Sequence, residues 1–181
     1  MLYFIRHGKT NHNVNKLLAG HCDIPLNEEG LNQAKQAGVN GKDLKIDLIY
    51  CSPLIRAKQT CDEINEYHNT RVIIKEELIE RDFGKYESKE YLLIDGEKCW
   101  NYYDNTYDNE IEPLKDVFKR VYTFLNQIKK EYENKNILIV AHNDIGRAIY
   151  CYFNGIPKDG NLRDLNMSNA EIFSFEKKRI K

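Results

Sequence analysis

Two histidines and two arginines stand where an α/β chain would bring them together. His7 follows the apolar run Leu2–Ile5 with Arg6 beside it, and His142 follows Ile137-Leu138-Ile139-Val140-Ala141. Runs of this kind read as buried strands of a parallel sheet. Ligands bind in the crevice outside the carboxyl ends of such strands, so both imidazoles are expected at one edge. Arg56 joins them, in the first turn of a helix that follows a strand ending at Cys51-Ser52-Pro53. Guanidinium forks pair bidentately with the oxygens of a phosphoryl group, and helix N-termini add N–H donors. A neutral imidazole is a competent nucleophile near neutral pH and forms covalent intermediates. One histidine can therefore take a phosphoryl group while the other stabilises its charge.

The elements that would position these side chains follow from hydrophobic periodicity. Leu2–Ile5 is a first strand, and Asn27–Val39 a helix with Leu31, Ala34 and Ala37 at helical spacing behind an Asn27 cap. Leu44–Tyr50 predicts a second strand, Leu54–Tyr67 a helix, and Val72–Ile74 a third strand. From Pro113 to Glu133 the apolar positions Val117, Val121, Phe124, Leu125 and Ile128 predict one long amphipathic helix, followed by the strand Ile137–Val140. Ile145–Phe153 reads as a helix and Ala170–Phe175 as a last strand. The alternation implies an α/β three-layer sandwich with a mostly parallel central sheet. No internal repeat or low-complexity linker interrupts it. One segment departs from the pattern: an excursion at about 88–112, whose stretch Asp95–Glu112 is rich in Asn, Tyr and acids and reads as a lid rather than a domain.

Composition narrows the classes. A chain of 181 residues fits a single domain, and 27 Lys and Arg against 28 Asp and Glu, a net charge of -1, create no field toward nucleic acid or an anionic membrane. The opening apolar run is cut off by Arg6, shorter than a signal core, and no stretch is long enough to span a bilayer. Five scattered cysteines without a C-x-x-C pair suit reduced thiols, most of them in the core, and a cytoplasmic location. His12, His21 and Cys22 match no metal-site spacing. The expected partner is a small phosphorylated metabolite, with no nucleic acid and no membrane; a homodimer is left open.

Five ordered blocks carry a resemblance. Arg6-His7-Gly8-Lys9-Thr10-Asn11-His12-Asn13 resembles the R-H-G-x-T-x-x-N signature of the histidine phosphatase (phosphoglycerate mutase-like) superfamily, and Asp23-Ile24-Pro25-Leu26-Asn27-Glu28-Glu29-Gly30 the D-x-P-L-x-x-x-G that follows it. Ser52-Pro53-Leu54-Ile55-Arg56-Ala57-Lys58-Gln59-Thr60 resembles S-x-L-x-R-A-x-Q-T, Leu78 to Glu87 the L-x-E-x-x-F-G-x-W-E segment, and Val140-Ala141-His142 the second histidine. The resemblance implies the phosphoglycerate mutase-like fold, with His7 as nucleophile. Arg6, Arg56 and His142 would form the phosphate clamp, with Asn13 as a further phosphate ligand and Glu80 as general acid. The residues alone do not choose Glu80 among Glu76, Glu77, Asp82 and Glu87, and Asn13 equally suits a helix cap. Where a glycine commonly follows the second histidine, this chain has Asn143-Asp144, so the Asn143 amide is expected to supply that contact. A general acid of this kind needs a carboxyl pKa raised by its pocket. No metal or cofactor enters the scheme, since the arginines and His142 neutralise charge.

The superfamily includes hydrolytic members and mutases. Mutases similar to this chain carry a closing C-terminal tail, whereas only Glu176–Lys181 follow Phe175 here, so an open, water-accessible site and hydrolysis are expected. The excursion holds Asp95, Glu97, Asp104, Asp108, Glu110 and Glu112 against Lys98, a charge expected to repel bisphosphates, and Trp100, Tyr102, Tyr103 and Tyr107 offer aromatic surface to a ring-bearing ester or to the core. The reading is a metal-independent phosphomonoesterase working through phosphohistidine. A phosphoglycerate mutase-type isomerase and a non-catalytic phosphate-binding relative are the alternatives.

Overall fold

The computed structural model describes residues 1–104, 108 and 110–176. Five strands, β1 (Leu2–Arg6), β2 (Leu48–Cys51), β3 (Val72–Ile74), β4 (Ile137–Ala141) and β5 (Ile172–Phe175), form one sheet in the order β3-β2-β4-β1-β5. β1 to β4 are parallel, and β5 runs antiparallel along β1 with Leu2 opposite Phe175 and Ile5 opposite Ile172. The α-helices among the described residues are α1 (Asn11–Val14), α2 (Glu28–Gly41), α3 (Ile55–Asn65), α4 (Gly96–Cys99), α5 (Leu114–Gln127), α6 (Lys129–Asn134) and α7 (Asn143–Asn154).

Strand alternation sorts the core into two faces. Leu2, Phe4, Leu48, Tyr50, Ile137 and Ile139 pack against α5 and α7. Ile5, Ile49, Cys51, Leu138 and Val140 face α2 and α3. The result is the three-layer sandwich with a mixed, mostly parallel sheet.

Most boundaries lie within two residues of the sequence expectation, and two differences are larger. β2 starts at Leu48 rather than Leu44, because the preceding residues carry the turn out of α2, with the Leu44 N–H bound to Gly41 O at 2.9 Å. The long helix bends at Ile128, whose N–H still binds Phe124 O at 3.1 Å while its carbonyl accepts from Glu131 and Tyr132 to start α6. All five cysteines are free thiols, and Cys51, Cys61, Cys99 and Cys151 are buried. No helix of the described residues is long and apolar enough to cross a membrane.

The excursion has a small core of its own. Phe83, Ile94, Cys99 and Ile111 pack on Leu18, with Tyr86 and Trp100 at the margin. Backbone bonds tie it down, Leu162 N–H to Trp100 O at 2.9 Å and Tyr102 N–H to Gly160 O at 2.8 Å. Its acids find basic partners outside the 95–112 stretch: Glu97 pairs with Arg163, Asp108 and Glu110 with Lys85, and Glu112 with Arg120. The uncompensated negative lid expected from local composition is therefore largely neutralised.

Candidate active site

β1 continues its ladder one residue beyond Arg6, with the His7 N–H donating to Ala141 O at 2.9 Å, so both histidines leave adjacent strands at the same edge. Their rings lie 5.2 Å apart, edge to face. Next to His7 the backbone is crowded: a Cβ on Gly8 would lie 2.3 Å from Gly30 O, and one on Gly30 would lie 1.9 Å from Lys9 O. Only a glycine pair lets the start of α2 abut this loop. The Gly8 N–H donates to Thr60 Oγ1 at 3.0 Å, and that hydroxyl donates to Arg56 O at 2.8 Å, which registers the loop against α3.

The His7 ring has a defined tautomer. Nδ1 lies 2.7 Å from Gly8 O, a carbonyl that can only accept, so the ring proton sits on Nδ1 and Nε2 keeps its lone pair. Burial, with Arg56 and Arg6 nearby, holds the His7 pKa well below its ordinary value, and the imidazole is neutral at pH 7. Arg56 Nε donates to His7 Nε2 at 3.2 Å. The remaining Arg56 nitrogens hold Cys22 O and Gly20 O, each at 2.8 Å, so this fully buried guanidinium is fixed from three sides.

Several motif residues act by building that cradle. Asp23 Oδ1 accepts from the Ile55 N–H at 2.6 Å, supplying the cap that Leu54 lacks at the start of α3. Glu87 Oε1 accepts from the His21 N–H at 2.6 Å, and Gly20, at φ +48, leaves no room for a Cβ beside the same carboxylate. Glu87 therefore holds the loop whose carbonyls grip Arg56.

Arg6 is anchored by one nitrogen, Nη1, to Met167 O at 2.9 Å and Asn166 Oδ1 at 3.3 Å. Burial pushes its pKa down to about 10, and its buried Nε has no partner in the protein. His142 is the N-cap residue of α7 and lies 2.6 Å through Nε2 from Ser52 Oγ. Ser52 Oγ also accepts from the Leu54 N–H at 3.4 Å; when it gives its own proton to Nε2, the His142 ring proton falls on Nδ1. That Nδ1 is buried without a partner, and burial together with Arg56 keeps the ring neutral. Two unpartnered donors beside the His7 lone pair are what a site for a tetrahedral anion leaves unfilled.

Glu80 is the carboxylate of the 76–87 stretch that lines the cavity with His7, a space of about 110 Å³. It is nearly buried, and its oxygens accept from the Arg81 N–H at 3.0 Å and from the Asn143 N–H at 3.1 Å. Burial, then the neighbouring Asp144, raises its pKa above the ordinary carboxyl value. Asp82 is half exposed, 3.9 Å from His21 Nδ1, and Glu87 serves the loop described above.

Asn13 and Asn143 have divided roles. Asn13 Oδ1 accepts from the Thr10 N–H at 3.0 Å in a capping box of α1, leaving Nδ2 at the cavity without a partner among the described residues. Asn143 gives its N–H to Glu80, and its Oδ1 accepts from the Met167 N–H at 2.9 Å. Of the aromatic group in the excursion, Trp100 lines the cavity, Tyr102 packs on Phe118 at 5.0 Å between centroids, Tyr103 is exposed, and Tyr107 lies outside the described residues. Sequence reasoning did not single out Ser52 as the His142 partner, the carbonyls that hold Arg56, or the buried cluster of Asp144, Arg147, Arg81 and Trp100.

A neutral imidazole lone pair flanked by guanidiniums, with a buried acid in the same small cavity, suits phosphoryl transfer on an α/β scaffold. Residues 2–179 match the model of the histidine phosphatase superfamily, branch 1. Over 183 residues the chain is 38% identical to the uncharacterized phosphatase PhoE of Bacillus subtilis strain 168, covering 98% of this chain and 90% of that one. It is 32% identical over 177 residues to the putative phosphoserine phosphatase 2 of Hydrogenobacter thermophilus, covering 94% and 86%. Among solved structures, Bacillus stearothermophilus YhfR superposes with a TM-score of 0.84 at 24% identity, covering 94% of this chain and 88% of that one. The chain belongs to the histidine phosphatase superfamily. Within it, this is a phosphoric monoester hydrolase.

Proposed function

We propose that the chain hydrolyses a small phosphorylated metabolite, without a metal, through a phosphohistidine formed at His7 Nε2. The observation that carries this reading is the Nδ1 contact to Gly8 O, which leaves Nε2 as the lone pair directed between Arg56 and the cavity. Nε2 attacks phosphorus, the ester P–O bond breaks, and Glu80 gives its proton to the departing alkoxide. Water then attacks the phosphohistidine, Glu80 takes the proton, and the P–N bond breaks to return neutral His7. Arg6 Nε and His142 Nδ1, both unpartnered, donate to the phosphoryl oxygens together with Arg56 and the side-chain amides of Asn13 and Asn143, which line the same cavity. These donors face charge as it develops, which is the largest contribution in sites of this kind.

The test uses p-nitrophenyl phosphate with excess EDTA. Sustained turnover and an acid-labile, base-stable phosphoenzyme are expected, both lost in His7→Ala, and vanadate should inhibit as an analogue of the transferring group. Loss of activity on chelation with recovery on adding a divalent ion would overturn the metal-free reading. Near-normal turnover by His7→Ala would overturn the nucleophile.

A further inference from the structure

Glu80 sits in a stretch without regular structure. Between the 3₁₀ turns Glu76–Leu78 and Gly84–Tyr86, residues 79–83 belong to no helix or strand, so no ladder fixes the backbone that carries the proposed acid. The carboxylate depends on that backbone directly. Oε1 accepts from the Arg81 N–H at 3.0 Å, and this N–H belongs to the same planar peptide unit as the Glu80 carbonyl. A tilt of that peptide drags the carboxylate with it.

Arg120 holds this peptide from behind. It lies on α5 between the buried Val117 and Phe124, on the core-facing stripe, and is not among the residues that line the cavity. A guanidinium has five N–H donors, and all five are engaged within the protein. Two form a fork on Glu112, Nε to Oε1 at 2.9 Å and Nη2 to Oε2 at 3.1 Å. The other three reach the backbone: Nη1 donates to Glu77 O at 2.8 Å and to Ile79 O at 2.7 Å, and Nη2 donates to Glu80 O at 3.2 Å. Glu112 completes the frame, accepting the Asp82 N–H at Oε2 at 3.1 Å while its own N–H donates to Asp82 O at 2.9 Å. Glu80 O has a further donor in His21 Nε2 at 2.9 Å, so the peptide is gripped from two elements. With its charge paired and its donors spent, Arg120 has nothing left for a substrate. What it offers is a rigid planar template for residues 77–80, where a lysine ammonium would be a single point.

We propose, resting on the reading of Glu80 as general acid, that Arg120 is a positioning residue: through the peptide between Glu80 and Arg81 it sets the distance from the Glu80 carboxyl to the departing oxygen. Proton transfer needs those atoms within about 2.6–3.2 Å, and a displacement of about 1 Å can cost about 10²-fold.

The experiment follows the first turnover by rapid quench with two esters: glycerol 3-phosphate, whose alkoxide needs a proton, and p-nitrophenyl phosphate, whose phenolate hardly does. Arg120→Met removes the donors and keeps much of the bulk. Phosphoenzyme formation from glycerol 3-phosphate should fall by about 10- to 10²-fold, against a loss below about threefold from p-nitrophenyl phosphate. Arg120→Lys, which restores the charge and some donors, should recover part of the loss. Added to Glu80→Gln, Arg120→Met should leave the ratio of the two rates unchanged, because both substitutions act through one carboxyl. Loosened packing alone would slow both esters alike. If Arg120→Met does not fold, Glu112→Gln, which takes one acceptor oxygen from the fork, should shift the ratio in the same direction. An unchanged ratio in the folded variants, or a further shift in the double variant, overturns the proposal. An unchanged ratio in Glu80→Gln itself would instead sink the acid reading on which it rests, and a wild type that forms no phosphoenzyme from either ester would count against the phosphomonoesterase reading.

Discussion

Replacing Glu80 by Gln separates its proposed role as an acid from its place in the cavity wall. In the native site each carboxylate oxygen accepts one backbone N–H, from Arg81 at 3.0 Å and from Asn143 at 3.1 Å. A glutamine of the same shape has only one acceptor, so its NH₂ must face one of these two N–H groups. Leaving a buried donor unmatched costs about 1–3 kcal/mol. In a chain of this size each kcal/mol lowers Tm by about 2–4 °C, and a Tm loss of that order should be visible by calorimetry. The catalytic effect is larger and depends on the leaving group. General acid catalysis contributes about 10²- to 10⁴-fold where the leaving group needs a proton. An alkyl alkoxide needs one almost fully, whereas p-nitrophenolate needs almost none. Rapid-quench measurement of the first turnover should show phosphoenzyme formation from an alkyl phosphate falling by that factor in Glu80→Gln, with little loss from p-nitrophenyl phosphate. Steady-state rates are the wrong readout, because the proposed dephosphorylation step uses the same carboxylate as a base. Equal first-turnover losses for the two substrates would refute the acid assignment and direct attention to binding.

Arg56→Ala should cut kcat/KM by about 10²- to 10³-fold in steady-state assays. It should also loosen the Gly20–Cys22 loop, detectable as faster amide exchange there; unchanged kinetics would remove Arg56 from the clamp. His7 and His142 are both held neutral by burial, so their contribution to stability is full above about pH 6.5 and is lost as pH falls toward their depressed folded values. The slope is about 1.4 kcal/mol per pH unit for each ring. Glu80, raised in the fold, works against the rings by gaining stability on acidification. Urea denaturation at pH 7.5, 6.5 and 5.5 should therefore show stability falling with acid, and less steeply in His142→Gln; a flat profile would mean that the rings are not buried neutral.

The positions of His7 and His142 were legible in the sequence because an apolar run ending in a polar ring is a local signal, and parallel strands deliver their carboxyl ends to one edge. Val72–Ile74 coincided with β3 for the same reason. Pairings between distant residues were not legible. Ser52 and His142 are 90 residues apart, and nothing local marks that serine as the ring's partner. Charge counting within Asp95–Glu112 found one lysine and missed Arg163, Lys85 and Arg120, which lie outside the window. The bend at Ile128 was hidden because Tyr132 carries the apolar face on, so periodicity persisted while the backbone turned.

The strand order β3-β2-β4-β1-β5 places the histidine-bearing strands, β1 and β4, in the interior, each laddered on both sides. An edge strand frays by breaking one row of hydrogen bonds, but an interior strand opens only when a neighbour has already been lost. The spacing between the two imidazoles is thus protected by the free energy of unfolding the sheet rather than by that of any local opening. Erosion from the β3 side must pass β2 before it reaches β4, whereas loss of β5 would turn β1 into an edge strand, so the geometry of the rings is guarded most deeply on the β3 side.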